Sequence, residues 1–224
     1  MPDDAEALFL ARGDEVNSNR PLYTGDVVTG VHLDVLRADP LTVAVVSHPC
    51  AMRAGARLLD HLHVAPVVAH SESGLQMWRG NFKYMALDGL AEAAGLTNPV
   101  IRLDRMTLAA TDTLDISRRI ACLDRPGVNI LRQRLVNQLT RVVVPTRFFD
   151  EEAGGAHEEL DLMENWLTAA GAVGVPLEAA ARDFHEWVRA IDGTTTRQRA
   201  LTNPQAVPSI RRAARSEIQQ RYAP

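Results

Sequence analysis

Lysine is almost missing from this chain: Lys83 is the only one among 24 basic residues. Cysteine is nearly as scarce. Cys50 and Cys122 allow at most one bridge, which excludes a disulfide framework and a four-thiolate zinc site. Long apolar runs are lacking too, since LTVAVV (Leu41 to Val46) falls far short of the roughly 20 residues that a membrane span needs. The first ten residues, MPDDAEALFL, are acidic where a secretory leader would be basic. These absences together predict a cytoplasmic protein without a membrane span.

What is present is ordinary globular material. Of the 224 residues, 46% are hydrophobic and 23% charged, enough apolar material for a real core. This length suits one small domain with an appendage. The opening AEALFLAR reads as a short helix before the turn-rich NSNRP, so residues 1–22 form an N-terminal helix and turn. Three runs then carry the β-branched enrichment of strands: Gly25 to Leu33, Leu41 to His48 and His63 to His70. Pro40 and Pro49 flank the second, as befits a residue that cannot donate to a ladder. The stretch Ser71 to Asn98 has no clear period and reads as an excursion from the sheet, which resumes over Pro99 to Ala109.

Helices follow. Val128, Leu131, Leu135, Leu139 and Val142 recur at helical spacing, with Arg132, Arg134, Asn137 and Arg141 elsewhere, predicting an amphipathic helix over 126–142. Gly154 and Gly155 read as a linker. Beyond it, Leu160, Met163, Trp166 and Leu167 mark one apolar face; Leu177, Ala181, Phe184, Val188 and Ile191 mark a second, begun by Pro176 and ended by Gly193. A last helix is expected over Ser209 to Tyr222.

Several short motifs in this order resemble the MazF/PemK-like toxin family of small SH3-like barrels that cleave RNA. They are GDVV at Gly25 to Val28, VAVVS at Val43 to Ser47, VAPVV at Val64 to Val68 and VIRLDRMTLAATDTLDISRRIACL at Val100 to Leu123. The resemblance spans about residues 23–143. It implies an α+β fold: a small SH3-like antiparallel β-barrel over 23–148 with a long insertion at 71–98, followed by a helical C-terminal region over 149–224. It also implies a homodimer. The family's cleavage site uses an arginine before the central strand and a threonine after the proline of the next. Here those positions hold Leu41 or Thr42, and Val68. Valine cannot move a proton or share a hydrogen bond, so the family's chemistry is expected to be absent.

Candidate sites remain. His48 and Cys50 stand at the end of the central strand, and a histidine there, with Arg53, would be the catalytic pair of a relocated nuclease site. His61, His63 and His70 have a spacing that metal ligation would accept, but only Asp60 stands near as a supporting carboxylate, so neither a metal nor any other cofactor is assigned. Arg53, Arg57 and Arg79 are candidates for a phosphate at the barrel rim, against the plainer reading of solvated surface charge.

Charge is distributed most unevenly of all. Asp150, Glu151, Glu152, Glu158, Glu159, Asp161 and Glu164 crowd one stretch, without a lysine or arginine among them. The last 32 residues carry Arg197, Arg199, Arg211, Arg212, Arg215 and Arg221 against Glu217 alone. Such a tail neutralises RNA or DNA phosphates, or docks on the acidic stretch of its own or a partner chain. The leading expectation is a non-catalytic, toxin-like barrel acting on or beside nucleic acid, with Arg197, Arg199, Arg211, Arg212 and Arg215 as contacts. Two alternatives stay open: an active nuclease toxin, and a protein-interaction component of a bacterial defence or toxin–antitoxin system, binding through 71–98 or the C-terminal helices.

Overall fold

The computed structural model describes residues 8–33, 40–72 and 82–222. The chain forms two compact units. The first takes Met1–Ser18, Leu22–Met52 and Leu59–Asp150; the second takes Asn19–Pro21, Arg53–Leu58 and Glu151–Pro224. The fold is α+β. Among the described residues, no helix is long and apolar enough to cross a membrane.

In the first unit the β-branched runs become strands. In chain order the strands are β1 (Phe9–Arg12), β2 (Asp26–Val31), β3 (Leu41–Val45), the hairpin β4 (Arg53–Ala54) and β5 (Arg57–Leu58), then β6 (His61–Val68), β7 (Tyr84–Ala86), β8 (Val100–Arg102), β9 (Thr107–Ala110) and β10 (Arg119–Leu123). All but β4 and β5 build one antiparallel sheet in the order β1-β10-β2-β3-β6-β8-β7, with β9 also on β6. The sheet curls into a half-barrel. Its register shifts between Val28 and Val31 and between Arg119 and Ala121, and irregularities of this kind bend a strand. Gly30, at φ +71°, supplies the left-handed residue inside the first of them.

β6 is the longest strand and serves two partners along one edge: His61 to Val64 pair with β9, and Val67 and Val68 with β8. Pro66 lies between these two stretches, where its missing N–H costs neither ladder a bond. Leu8, Val27, Ala44, Val67 and Ile101 line the buried core, and it is closed by Val128 and Leu131 from a helix.

After the short α1 (Ala91–Ala94), that helix is α2 (Arg125–Thr140). Asp124 caps it by accepting the Gly127 N–H at 2.7 Å, and Pro126 starts the first turn where no N–H is needed.

Several expectations are corrected here. Phe9 to Arg12, expected as part of a helix, is the edge strand β1 on β10, because its neighbours Leu8 and Leu123 share the core. The excursion after Ser71 contains Tyr84 to Ala86, which pair with β8 as an edge strand; positions 73–81 lie outside the described residues. The single strand expected over Pro99 to Ala109 is two, broken by a 3-10 turn at Leu103–Arg105. In α2 three polar residues expected outside are inside: Arg132, Arg134 and Asn137 are buried, while Leu139 is 68% exposed.

The second unit is mostly helical. α3 (Thr146–Ala172) begins at the end of the first unit and continues into it, followed by α4 (Leu177–Arg189), the hairpin β11 (Ile191–Asp192) and β12 (Thr195–Thr196), α5 (Arg197–Ala200) and α6 (Val207–Tyr222). Trp166, Phe184 and Trp187 stack in its core with Leu201, Ile210 and Ala214 around them. Trp166 donates its indole N–H to the Tyr222 hydroxyl at 3.0 Å, so the ring is buried without stranding its polar atom. The expected linker at Gly154 and Gly155 is helical. A Cβ on Gly155 would come within 3.0 Å of the Thr202 methyl, so a bare backbone is what lets the chain after α5 pack there. Ile191, expected on the apolar face of α4, lies beyond that helix in the hairpin and is exposed.

Candidate functional site

β3 ends in a tight turn built from Ser47 to Met52. Ser47 is buried, and its hydroxyl accepts the His63 N–H at 2.7 Å while its carbonyl accepts the Thr24 hydroxyl. Ser47 is thereby committed to holding the turn. His48 is exposed and caps the following 3-10 turn: its Nδ1 accepts the Cys50 N–H at 3.2 Å. Its Nε2 lies 2.9 Å from Nη2 of Arg132. A neutral imidazole has one lone-pair nitrogen, and here two N–H donors compete for it. Both ring nitrogens of His48 therefore face N–H donors.

Arg132 reaches His48 from α2. Its guanidinium lies over the Phe149 ring at 4.9 Å, and Nη1 donates to the Phe149 carbonyl at 3.2 Å. Two turns of sequence logic could have located it, since position 132 is four residues after the buried Val128 and so belongs to the inward face. Arg134 is also inward, donating to the Tyr84 carbonyl and lying 5.5 Å from the Phe82 ring. Burial pushes its pKa down to about 10.

The register between β3 and β6 places Leu41, Thr42 and Val68. Thr42 faces Val67 at one end of the ladder, and Val45 faces Val64 at the other. Leu41, Thr42 and Val68 therefore share the end where β3 begins, and His48 follows the end where β3 finishes. From Thr42 to Val45 the strand spans roughly 10 Å, and the bend at Ser47 follows before His48.

The other sequence candidates are placed as follows. His61 and His63 are exposed on β6, while His70 lies past its end with Nδ1 accepting the Glu72 N–H at 3.1 Å. Among the described residues no three His, Cys, Asp or Glu side chains gather as a metal site would require. Cys50 is exposed and Cys122 buried. Arg53 and Arg57 lie in the β4–β5 hairpin of the second unit, where Arg53 Nη1 donates to the Ala56 carbonyl at 3.2 Å. Arg79 lies outside the described residues.

The basic tail divides into two groups. Arg197 and Arg211 hold the second unit together: Arg197 pairs with Asp192 and stacks over Trp187 at 5.0 Å, and Arg211 binds Glu158 at 2.6 and 2.9 Å. Glu159 accepts from Gln198, and Arg20 pairs with Asp161 and Glu164. Much of the acidic run is thus consumed inside the unit, and burial raises the pKa of both Glu159 and Asp161.

Arg199, Arg212 and Arg215 are exposed, and among the described residues no carboxylate pairs with them. On α6, Ile210 and Ala214 turn inward and Arg212, Arg215, Ser216 and Gln219 turn out. Glu217, the only acid of this helix, is spent on Arg221 at 2.7 Å. The result is an acid-free face of guanidinium, hydroxyl and amide donors. Comparison with known proteins adds no assignment: no family model matches the sequence, and no curated protein matches it.

Proposed function

We propose that the chain binds the phosphate backbone of a nucleic acid through the outer face of α6, on a protein whose first unit is a MazF/PemK-like, SH3-like barrel without the family's cleavage chemistry. The observation that carries this reading is the acid-free row of Arg212, Arg215, Ser216 and Gln219, exposed while neighbouring acids are engaged elsewhere. Guanidinium forks match phosphate oxygens, and side-chain hydroxyls and amides add backbone contacts that carry no sequence information.

Support for the barrel comes from the order of pieces: a central strand ending in a buried serine, a strand over Arg119–Leu123, and the helix Arg125–Thr140 after it. Support for the loss of chemistry comes from Leu41, Thr42 and Val68 at the family positions and from the occupied ring nitrogens of His48.

The test is fluorescence anisotropy with a labelled single-stranded RNA and a DNA duplex across a salt series. Wild-type affinity should fall steeply with salt. Converting Arg212 and Arg215 together to Gln should flatten the log–log slope by about 1.8 for duplex or about 1.4 for single strands, two phosphates' worth of released counterion. Undetectable binding, or an unchanged slope, overturns the proposal. A second reading, self-association or a protein partner, is favoured by Leu139, Val142, Val143 and Phe148, all exposed between the last turn of α2 and the first of α3; sedimentation of Val143→Asp beside wild type decides whether this strip holds chains together.

A further inference from the structure

α6 is a one-sided element, fixed to the second unit near both of its ends. Ile210 and Ala214 bury its inner face in the core. Arg211 is tied to Glu158 at 2.6 Å near the start, and the Tyr222 hydroxyl accepts the Trp166 indole N–H at 3.0 Å at the finish. The outer face carries Ser209, Arg212, Arg215, Ser216, Gln219 and Gln220, all exposed. At 3.6 residues per turn these six fall within an arc of about 140°. Among the described residues, no ion pair or hydrogen bond holds the side chains of Arg212, Arg215, Ser216 or Gln219.

Three forms of nucleic acid offer phosphates to such a face, and the second unit does not suit them equally. Single strands are gripped by aromatic rings on which unstacked bases lie. In this unit Trp166, Phe184 and Trp187 are buried, and Tyr222 turns in to the Trp166 indole. Duplex RNA hides its base edges in a major groove too deep and narrow for side chains to read. The major groove of B-form DNA is about 12 Å wide and admits an α-helix. Base edges there are read by side chains that offer matching donors and acceptors, and α6 has them. The Gln219 amide presents a donor and an acceptor side by side, as adenine N6 and N7 require, and the Ser216 hydroxyl both donates and accepts. Gln219 follows Arg215 by four positions and Arg212 by seven, so the amide and both guanidiniums share one side of the helix.

Building on the phosphate-backbone reading above, we propose that the nucleic acid is double-stranded B-form DNA, entered by α6 through the major groove. Gln219 is the base-reading residue, and Arg212 and Arg215 clamp the backbone on which it is positioned. Arg212 to Gln219 spans about 10 Å of helix axis, the rise of roughly three base pairs, so the sequence read is short. Because the helix is already anchored in the core, binding does not have to order it first.

The experiment selects duplexes from a DNA pool with a randomised centre on the full-length protein, then measures anisotropy on the selected sequence. Selected duplexes should share a run of about three base pairs. On that sequence Gln219→Ala should weaken binding about five- to a hundredfold, while its log–log salt slope stays that of wild type. The same sequence as duplex RNA or as a single strand should bind no better than an unselected DNA duplex. No shared run, an undiminished preference in Gln219→Ala, or equal binding of the RNA duplex or the single strand overturns the groove assignment. In each of those cases a steep salt slope that Arg212→Gln with Arg215→Gln flattens leaves the backbone reading standing. Binding to every probe without salt dependence overturns both.

Discussion

The ion pair between Asp26 and Arg119 should dominate the stability of the first unit. Asp26 stands at the start of β2 and Arg119 at the start of β10; their side chains are 2% and 0% exposed, and Nη1 meets Oδ2 at 2.7 Å. The carboxylate also accepts the Tyr23 N–H at 2.9 Å, and Nη2 donates to the Asn17 carbonyl at 2.8 Å. Removing one member leaves the other charged and buried without its ion-pair partner, which costs about 3–5 kcal/mol. Each single variant also deprives a backbone group of a partner, since Asp26→Ala removes the acceptor of the Tyr23 N–H and Arg119→Ala the donor to the Asn17 carbonyl, so the two should cost about the same. Removing both eliminates the stranded charge, so the double variant should be milder than the two singles added, with a coupling of about 2–3 kcal/mol. Urea unfolding followed by circular dichroism measures the free energies at a common slope. Hydrogen exchange of peptides from β2 and β10 locates the loss. Single variants costing under about 1 kcal/mol, or costs that add, would refute the reasoning.

Two further outcomes follow from buried groups. The folded-state pKa of His185 lies at about 4 against 6.5 in the unfolded chain, so its full contribution holds above pH 6.5 and is lost as pH falls towards 4, by about 2–3 kcal/mol. Glu159, raised by burial, acts in the opposite direction, so the clean measure is the difference in unfolding free energy between wild type and His185→Gln across pH 3 to 8; a difference that stays flat is the refuting result. Gly127→Ala should destabilise by about 1–3 kcal/mol although alanine is the better helix former, because the added methyl would drive into the Leu8 carbonyl. A rise in melting temperature would show that β1 can yield.

Much of the sheet was legible because β2, β3 and β6 are rich in β-branched residues, with Val27, Val28, Val43, Val45, Val64 and Val67 all buried. β1 and β7 were not, since three or four residues of edge strand carry too little pattern to outweigh neighbouring helix formers. The misreading of α2 has a different cause. Leu139 does lie in line with Val128, Leu131 and Leu135 but is exposed at the end of the helix, whereas Arg132, Arg134 and Asn137 are pulled inward by the carbonyls of Phe149, Tyr84 and Val142. Periodicity sees apolar side chains and is blind to carbonyls awaiting donors. At the candidate site the same limit applied: His48 was visible as a residue, but its engagement by Arg132, 84 positions away, was not. Nor did the orphaned ring of His185 leave a sequence signal, because its neighbours Phe184 and Val188 mark it only as core.

The second unit draws on three separated stretches of chain, and this sets a timetable for synthesis. Arg20 meets its partner Asp161 across 141 residues. At about 5–20 residues per second, Arg20 is made roughly 7 to 28 seconds before Asp161. The hairpin carrying Arg53 waits almost as long for α4. During that interval the first unit is being completed around segments whose own partners do not yet exist, so the nascent chain carries buried-to-be guanidiniums in water. A fragment starting at Glu151 would lack both early pieces. Supplying residues 19–21 and 53–58 in trans is then the route by which such a fragment regains its ion pairs.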